Sequence, residues 1–225
     1  MEADDPYQQE REKMVKSQIK ARGVEDPAVL EAFCTVPRHL FVPPPYSEAA
    51  YQDHPLPIGE GQTISQPYIV ALMTELLELS PADRVLEIGS GSGYQAAILA
   101  HIVKRVITIE RIAKVASMAR ENLEKAGIHN VEVIVGDGTL GYPPEQPYDG
   151  IIITAATPEI PEPLLEQLAE GGRLVSPVGG REYQELLKVV KMEGKLHFTS
   201  YGGVVFVPLI GEYGWENQRG YGGYG

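Results

Sequence analysis

The chain has 225 residues, 43% hydrophobic and 22% charged, so it can bury a full core as one folded domain. Its 31 acidic and 19 basic side chains give a net charge of −12, which repels phosphate backbones and anionic lipid headgroups. We therefore expect no nucleic-acid partner and no membrane partner. The amino terminus is charged and no apolar run approaches the roughly 20 residues of a membrane span, so we expect a cytoplasmic protein, and a monomer.

Residues 1–80 are predicted to form a helical and loop segment packed on the core, where it forms a lip over the substrate. Helical patterns at residues 9–21 and 27–33 precede a proline-rich loop at residues 36–45, where prolines forbid a continuous helix or a central strand. The single cysteine, Cys34, lies in the apolar run 29–36. This position favours a buried structural thiol over a catalytic one, and one cysteine fits a reducing compartment.

Residues 81–215 are predicted to form the α/β core. Strand candidates at 84–88, 105–109, 131–135, 148–154 and 173–178 alternate with helical candidates at 93–103, 111–126 and 161–169. Such alternation predicts a doubly wound, mainly parallel sheet with helices on both faces. Two β-rich runs, 186–192 and 203–207, follow without a helix between them and predict an antiparallel addition at the carboxyl-terminal end. The Gly/Tyr tail at 216–225 is predicted to be flexible.

The most informative motif is a glycine-rich turn after the first of these core strands. Residues 85–94 read VLEIGSGSGY, in which Gly89, Gly91 and Gly93 alternate before a helical segment. Such a strand, turn and helix leave backbone N–H groups open to a ligand. Ser90 lies within the same turn and is predicted to bind the same ligand. The alternative is a glycine turn that only lets the helix pack close to the strand.

Two carboxylates indicate which ligand the turn binds. Glu110 ends the next strand, 19 residues after Gly91, where a carboxylate can accept hydrogen bonds from ribose hydroxyls. Arg111 follows it. Glu87 brings a negative charge to the turn, and the glycine spacing differs from the G-x-G-x-x-G pattern that packs a pyrophosphate. Both features favour S-adenosyl-L-methionine, a cationic nucleoside, over NAD.

A third binding element is predicted at Asp137 and Gly138, after the strand at residues 131–135. At the carboxyl edge of the sheet the carboxylate could accept a hydrogen bond from an adenine amino group, while the glycine leaves space for the ring. A plain Asp-Gly turn is the alternative. The five histidines show no metal-ligand spacing and no cysteine pair exists, so we predict no metal site.

The chain resembles the protein-L-isoaspartate O-methyltransferases over residues 15–215. The matching motifs are GQTISQP at 61–67, LEIGSGSGYQ at 86–95, GDGTLGY at 136–142, ITAA at 153–156, GGRLV at 171–175 and VFVPL at 205–209. The glycine loop alone indicates only a class I methyltransferase with a Rossmann-like fold, whereas the TISQP segment is specific to this family. Gln146, before Pro-Tyr-Asp, and the Gly/Tyr tail depart from the family pattern.

The resemblance implies methyl transfer from S-adenosyl-L-methionine to the free α-carboxylate of L-isoaspartyl residues in damaged proteins and peptides, which starts repair through a succinimide. It implies that Ser65 binds and orients the substrate carboxylate, as the catalytic residue. By residue type alone, Ser65 could equally cap the helix predicted at residues 68–79. The resemblance also implies that Gln62, Thr63 and Ile64 close over the cofactor. Val207 and Pro208 are implied to hold the peptide through backbone contacts.

Three other functions agree less well with the sequence. A nucleic-acid methyltransferase of the same fold conflicts with the net charge, and the run at residues 154–156 lacks the Pro-Pro-aromatic motif that such enzymes often carry. A noncatalytic S-adenosyl-L-methionine-binding protein would not need Ser65 and its loop. A nicotinamide dehydrogenase conflicts with the glycine spacing and with Glu87.

Overall fold

The computed structural model describes residues 6–216, so the tail prediction at 217–225 lies outside the described residues. Six α-helices occur in this part of the chain: α1 (Gln8–Met14), α2 (Pro27–Thr35), α3 (Pro67–Leu76), α4 (Tyr94–Ile102), α5 (Ala113–Lys125) and α6 (Glu162–Glu166). After α1 the chain continues as a short π-helix (Val15–Ile19) and a 3₁₀ turn (Lys20–Arg22).

The central layer is a seven-stranded mixed sheet. Its strands are β3 (Arg84–Ile88), β4 (Arg105–Glu110), β5 (Val131–Val135), β6 (Tyr148–Ile153), β7 (Leu168–Gly179), β8 (Gln184–Met192) and β9 (Lys195–Val204), in the spatial order β5-β4-β3-β6-β7-β8-β9. The first five pair in parallel, and β8 and β9 add to them antiparallel. This is the α/β methyltransferase fold predicted from the alternating pattern. A separate hairpin joins β1 (Leu56–Gly59) to β2 (Gln62–Ile64).

Strand β3 is buried on both of its faces. Val85 packs into the core beneath helices α1 to α4, whereas Leu86 and Ile88 pack into the core on the opposite face. Side chains of a strand alternate in direction, so Glu87 points to the same side as Val85. A central strand enclosed in this way explains its almost continuous apolar sequence.

The amino-terminal segment packs on the face of the sheet that Val85 shares with helices α3 and α4. Asp26 caps α2 by accepting hydrogen bonds from the N–H groups of Ala28 (2.8 Å) and Val29 (3.1 Å), and Pro27 begins the helix. Helix α2 then packs against α3 and α4. The proline-rich segment contains two 3₁₀ turns, Arg38–Phe41 and Pro44–Ala49, rather than a plain loop.

The bounds of three predicted elements were wrong. The last strand extends from Lys195 to Val204 rather than over residues 203–207, because β9 is an exposed edge strand without the apolar pattern of a buried one. The helix predicted at 161–169 stops at Glu166, and Leu168 already belongs to β7. The helix predicted at 68–79 likewise ends early, at Leu76.

The prediction of a buried Cys34 was also wrong. Val29, Ala32 and Phe33 form the buried face of α2, and Cys34 lies on its exposed side. Within the apolar run, the helical period of 3.6 residues places the cysteine away from the core. Partial burial and the nearby Glu12 carboxylate raise the pKa of the thiol, so the group is not an activated nucleophile.

Candidate active site

The candidate site lies where the parallel strands end and the strand order reverses. After β3 the chain adds β4 and β5 on one side, and β6 returns to pair on the other side of β3. Residues following β3 and β6 therefore meet, as shown by the Thr154 N–H, which donates to the Ile88 carbonyl at 2.9 Å. Ligands of open α/β sheets bind at such a switch point.

The glycine loop closes tightly against Thr154. Gly89 has φ +99°, and a Cβ at this position would lie 2.6 Å from the Thr154 hydroxyl oxygen. That hydroxyl donates to the Gly89 carbonyl at 2.7 Å. Glycine is therefore required here both for backbone conformation and for space, and the loop leaves a cradle that side chains would fill.

Gly93 acts differently from the other two glycines. It precedes α4 with φ +89°, and a Cβ would lie 3.3 Å from both the Ala119 carbonyl oxygen and Leu123 Cγ of α5. It lines none of the cavities described below. Gly93 therefore permits α4 and α5 to pack closely, while Gly89, Ser90 and Gly91 surround the ligand space.

Glu110 links the end of β4 to the glycine loop. Its Oε2 accepts a hydrogen bond from the Gly91 N–H at 3.1 Å, and its Oε1 accepts one from the Ile112 N–H at 3.0 Å. A carboxylate oxygen can accept more than one hydrogen bond, so each oxygen retains capacity for a ligand hydroxyl. The carboxylate is thus fixed in place while it still faces a cavity.

Glu87 is fully buried, and neither of its carboxylate oxygens has a hydrogen-bond partner among the described residues. Burial is the main cause that raises its pKa to about 8. The nearby Thr108 hydroxyl, which is hydrogen-bonded to the Ser90 hydroxyl at 2.8 Å rather than to Glu87, opposes this rise, and the Glu110 charge adds to it. Without a ligand the side chain is therefore largely neutral at pH 7, rather than the negative charge expected from the sequence. An ammonium group beside it would satisfy both oxygens and restore the charge.

Three adjoining cavities surround these residues. The glycine-loop cavity, of about 60 Å³, is lined by Glu87, Ser90 and Gly91 and by Gln62, Thr63, Ile64 and Ser65. The strand-end cavity, of about 290 Å³, is lined by Arg111, Gly138 and Pro208. Gln62, Gly89 and Glu110 line both, so the two form one curved space with the acidic groups along it.

The third cavity is an open cleft of about 790 Å³, lined in part by Ser65 and Gln66 between β2 and α3. We call it the tyrosine cleft, after Tyr68, Tyr183 and Tyr201 in its wall. Thr63, Ser65 and Thr154 line both the tyrosine cleft and the glycine-loop cavity. Val207 borders all three cavities.

Ser65 lies between β2 and α3, where the glycine-loop cavity and the tyrosine cleft share lining residues. The helix prediction left open whether Ser65 caps α3, and the structure excludes that role. Gln66 occupies the N-cap position, and no side chain caps the helix. Among residues 6–216 the Ser65 hydroxyl has no hydrogen-bond partner, whereas its carbonyl accepts a hydrogen bond from Arg38. The hydroxyl is thus available to a bound molecule.

Asp137 faces the carboxyl-terminal segment rather than a cavity. Its Oδ1 accepts hydrogen bonds from the N–H and hydroxyl of Thr139 at 2.9 and 2.7 Å, and its Oδ2 accepts one from the Glu212 N–H at 2.7 Å. Gly138 is required for close packing, because a Cβ would lie 2.5 Å from Ile88 Cγ2. The adenine contact predicted for Asp137 therefore competes with hydrogen bonds that the protein itself makes.

Two residues at the site were not found from the sequence. Thr154 and Tyr94 line the glycine-loop cavity. The position of Thr154 directly after a strand at the switch point was a usable signal. Tyr94 ends the glycine-rich motif and begins α4, so its place in that motif was the usable signal. Within residues 6–216 no group of three or more His, Cys, Asp or Glu side chains could hold a metal ion.

The residues present fit S-adenosyl-L-methionine. The unpartnered Glu87 carboxyl can accept from its amino group, the glycines leave space that side chains would fill, and Glu110 has acceptor capacity for ribose hydroxyls. The expectation that the N–H groups of the turn stay open to a ligand was wrong for Gly89, Ser90 and Gly91. The first two donate to the Ile109 carbonyl and the third donates to Glu110.

Comparison with known proteins gives an independent result. Residues 9–214 match the family model described as protein-L-isoaspartate(D-aspartate) O-methyltransferase. A protein-L-isoaspartate O-methyltransferase of Methanoculleus marisnigri is 61% identical over 97% of this chain and 99% of its own length. One from Methanoregula boonei is 62% identical over 94% of this chain and 98% of its own length.

Solved structures agree. A protein-L-isoaspartate O-methyltransferase structure superposes with a TM-score of 0.83 at 34% identity, covering 91% of this chain and 67% of the other. A Plasmodium falciparum structure is described as a protein-L-isoaspartate O-methyltransferase in complex with S-adenosyl-L-homocysteine. It superposes with a TM-score of 0.78 at 28% identity, covering 89% of this chain and 98% of the other.

Proposed function

The chain belongs to the protein-L-isoaspartate O-methyltransferase family, and we propose that its Ser65 hydroxyl orients the substrate carboxylate for methylation at the junction of the glycine-loop cavity and the tyrosine cleft. The enzyme is a methyltransferase that uses S-adenosyl-L-methionine and acts in the repair of isoaspartyl residues. The assignment of individual residues to the reaction is our proposal.

The position of Ser65 carries the proposal. Ser65 borders both the cavity that is lined by Glu87 and Glu110 and the tyrosine cleft. A residue that touches both spaces can hold an oxygen of the peptide next to the methyl group. Its hydroxyl has no competing hydrogen bond among the described residues.

The reaction needs positioning more than proton transfer. The methyl group moves from the sulfonium of S-adenosyl-L-methionine to a carboxylate oxygen, and the sulfur keeps the electron pair of the broken bond. An isoaspartyl carboxylate is already ionised at neutral pH, so no general base is required. A neutral donor such as Ser65 orients the oxygen without forming an ion pair that would weaken its nucleophilicity.

The remaining predicted residues divide between cofactor and peptide. We assign Glu87 to the cofactor amino group and Glu110 to its ribose hydroxyls, with Gln62 and Ile64 covering the bound cofactor. Val207 is assigned to the peptide, which can lie extended in the tyrosine cleft. Pro208 borders only the strand-end cavity, which favours a position beside the cofactor over a peptide contact.

A Ser65→Ala variant tests the proposal. We expect turnover of an isoaspartyl peptide to fall by about tenfold to a hundredfold, while the affinity for S-adenosyl-L-homocysteine, measured by calorimetry, stays within about twofold. Ser65→Thr, which keeps a hydroxyl, is the matched control and should retain more turnover. Unchanged turnover in Ser65→Ala would remove Ser65 from the reaction.

We further propose that the enzyme works as a monomer in the cytoplasm, with substrates that are damaged proteins and peptides. The single cysteine is compatible with a reducing compartment. No helix among residues 6–216 is long and apolar enough to cross a membrane. Sedimentation equilibrium of the active enzyme tests the monomer, and a dimer mass at assay concentration would contradict it.

A further inference from the structure

Arg38 is a completely buried cation with few partners. Its side chain has no exposed surface, and Nη1 has no hydrogen-bond partner among residues 6–216. Its Nε donates to the Ala50 carbonyl at 2.7 Å, and one Nη donates to the Ser65 carbonyl at 2.8 Å. Neither carbonyl neutralises the charge. A buried charge without a carboxylate is costly, which calls for a reason to keep arginine here.

The guanidinium also lies on the ring of Tyr94. Arg38 Cζ is 4.7 Å from the ring centroid, within the range of a cation–π contact. Tyr94 is the first residue of α4, directly after the glycine loop, and it lines the glycine-loop cavity. Phe33 and Phe41 pack edge-on against the same ring and fix its orientation.

Arg38 therefore connects the loop that carries Ser65 to the helix that follows the glycine loop. We propose that Arg38 is a positioning residue for methyl transfer, which holds the Ser65 carbonyl inward so that the Ser65 hydroxyl faces the reacting carboxylate. The inference rests on the proposed role of Ser65. In an L-residue the carbonyl and the side chain leave the same Cα, so fixing the carbonyl restricts where the hydroxyl can point.

Residue chemistry explains why lysine cannot replace this arginine. The planar guanidinium donates in two directions from one rigid group, and the two carbonyls it reaches lie 15 residues apart in the sequence. Burial lowers the pKa of Arg38 and raises that of Tyr94.

The test is a double-mutant cycle on the full-length enzyme with Arg38→Lys, Ser65→Ala and both together. We expect Arg38→Lys to lower kcat about tenfold, with the affinity for S-adenosyl-L-homocysteine unchanged within about twofold. In the Ser65→Ala background the same substitution should lower kcat less than about twofold, because the hydroxyl it positions is already absent. Equal factors in both backgrounds would overturn the proposal.

Arg11→Lys is the matched control. Arg11 is also buried, and its side chain donates to the Cys34 carbonyl at 2.6 Å and to the Tyr51 hydroxyl at 3.5 Å, whereas Arg38 donates to the Ser65 carbonyl. Its substitution should lower the melting temperature and leave kcat unchanged. If Arg11→Lys slows turnover as much as Arg38→Lys does, the effect of Arg38 is general destabilisation and the proposal fails.

A second variant avoids disturbing the core. Replacing Gln66 by its α-hydroxy acid converts the peptide bond after Ser65 into an ester, whose carbonyl is a weaker acceptor. No described hydrogen bond within residues 6–216 uses the Gln66 N–H, so the main loss is at the Arg38 contact. We expect kcat to fall about threefold to tenfold with Arg38 present, and unchanged kcat would contradict the proposal.

The outcomes separate the two proposals. Full turnover in Ser65→Ala would refute the role of Ser65, and with it the role of Arg38. Reduced turnover in Ser65→Ala together with full turnover in Arg38→Lys would refute the role of Arg38 alone.

Discussion

Glu110 Oε2 accepts a hydrogen bond from the Gly91 N–H at 3.1 Å, which ties the end of β4 to the glycine loop after β3. The carboxylate thereby holds the loop in shape and presents acceptor capacity to the strand-end cavity. These two functions can be separated, because one acts in the free protein and the other acts only with ligand.

Glu110→Gln is expected to weaken binding of S-adenosyl-L-homocysteine by about tenfold to a hundredfold, since one acceptor oxygen and the charge are lost. Calorimetry should also show that the variant no longer distinguishes this ligand from its 2′-deoxy analogue, whereas the native enzyme does. If the variant still binds S-adenosyl-L-homocysteine more tightly than the 2′-deoxy analogue, by the same factor as the native enzyme, then Glu110 does not bind the ribose hydroxyl.

Glu87 gives a prediction about pH. Its pKa in the folded protein is about 8 against an ordinary value of 4.5, so the folded state binds more protons than the unfolded state between these values. The contribution of Glu87 to the stability of the ligand-free protein therefore falls as pH rises from about 4.5 to 8 and is level above that. The total loss is on the order of a few kcal/mol.

Glu87→Gln should remove this slope, as chemical denaturation of the two proteins at pH 5, 7 and 9 would reveal. Ligand binding at pH 7 should also release a proton from the native enzyme as Glu87 ionises beside the ammonium group, and calorimetry in buffers of different ionisation enthalpy measures it. The same proton release in Glu87→Gln would show that another group titrates.

The close contact between Gly89 and Thr154 gives a prediction about stability. Gly89→Ala should cost about 2 to 4 kcal/mol and abolish cofactor binding, because the added Cβ meets the Thr154 hydroxyl and φ is positive. Gly171→Ala is the matched control, since Gly171 also has positive φ (+76°) but open space around it. Its expected cost is about 1 kcal/mol. Equal costs in urea denaturation would show that the Thr154 contact does not matter.

Asp137 gives a prediction about the carboxyl-terminal segment. Asp137→Ala should release the Glu212 N–H and the Thr139 groups, at a cost of about 1 to 3 kcal/mol. Amide hydrogen exchange at Glu212 and Tyr213 should accelerate at least tenfold, whereas amides of β4 stay protected. Unchanged protection at Glu212 would mean that the segment is held by other contacts.

The parallel core could be predicted because burial on both faces leaves a strong sequence signal. Strand β3 and the glycine turn after it are recognisable from ten residues. Strand β9 was misplaced because its side chains, such as His197 and Thr199, face solvent and carry no apolar pattern. The exposed position of Cys34 was not predicted, because Cys34 lies in an apolar run and local composition does not show which face of a helix is buried.

The site could be predicted only in part, because several of its relationships join distant segments. The alternating glycines and Glu110 follow known spacing. The contact of Arg38 with the Ser65 carbonyl spans 27 residues, and that of Asp137 with the Glu212 N–H spans 75. Such pairs arise from the tertiary fold, which brings distant segments together and which no local pattern encodes.

The account is tested most directly by two synthetic peptides that differ only in one isoaspartyl or aspartyl residue, incubated with the enzyme and methyl-labelled S-adenosyl-L-methionine. We predict that the isoaspartyl peptide takes up label, which is then released as methanol when the ester closes to the succinimide, and that the aspartyl peptide stays unlabelled. Equal labelling of the two peptides, or none of either, would contradict the account.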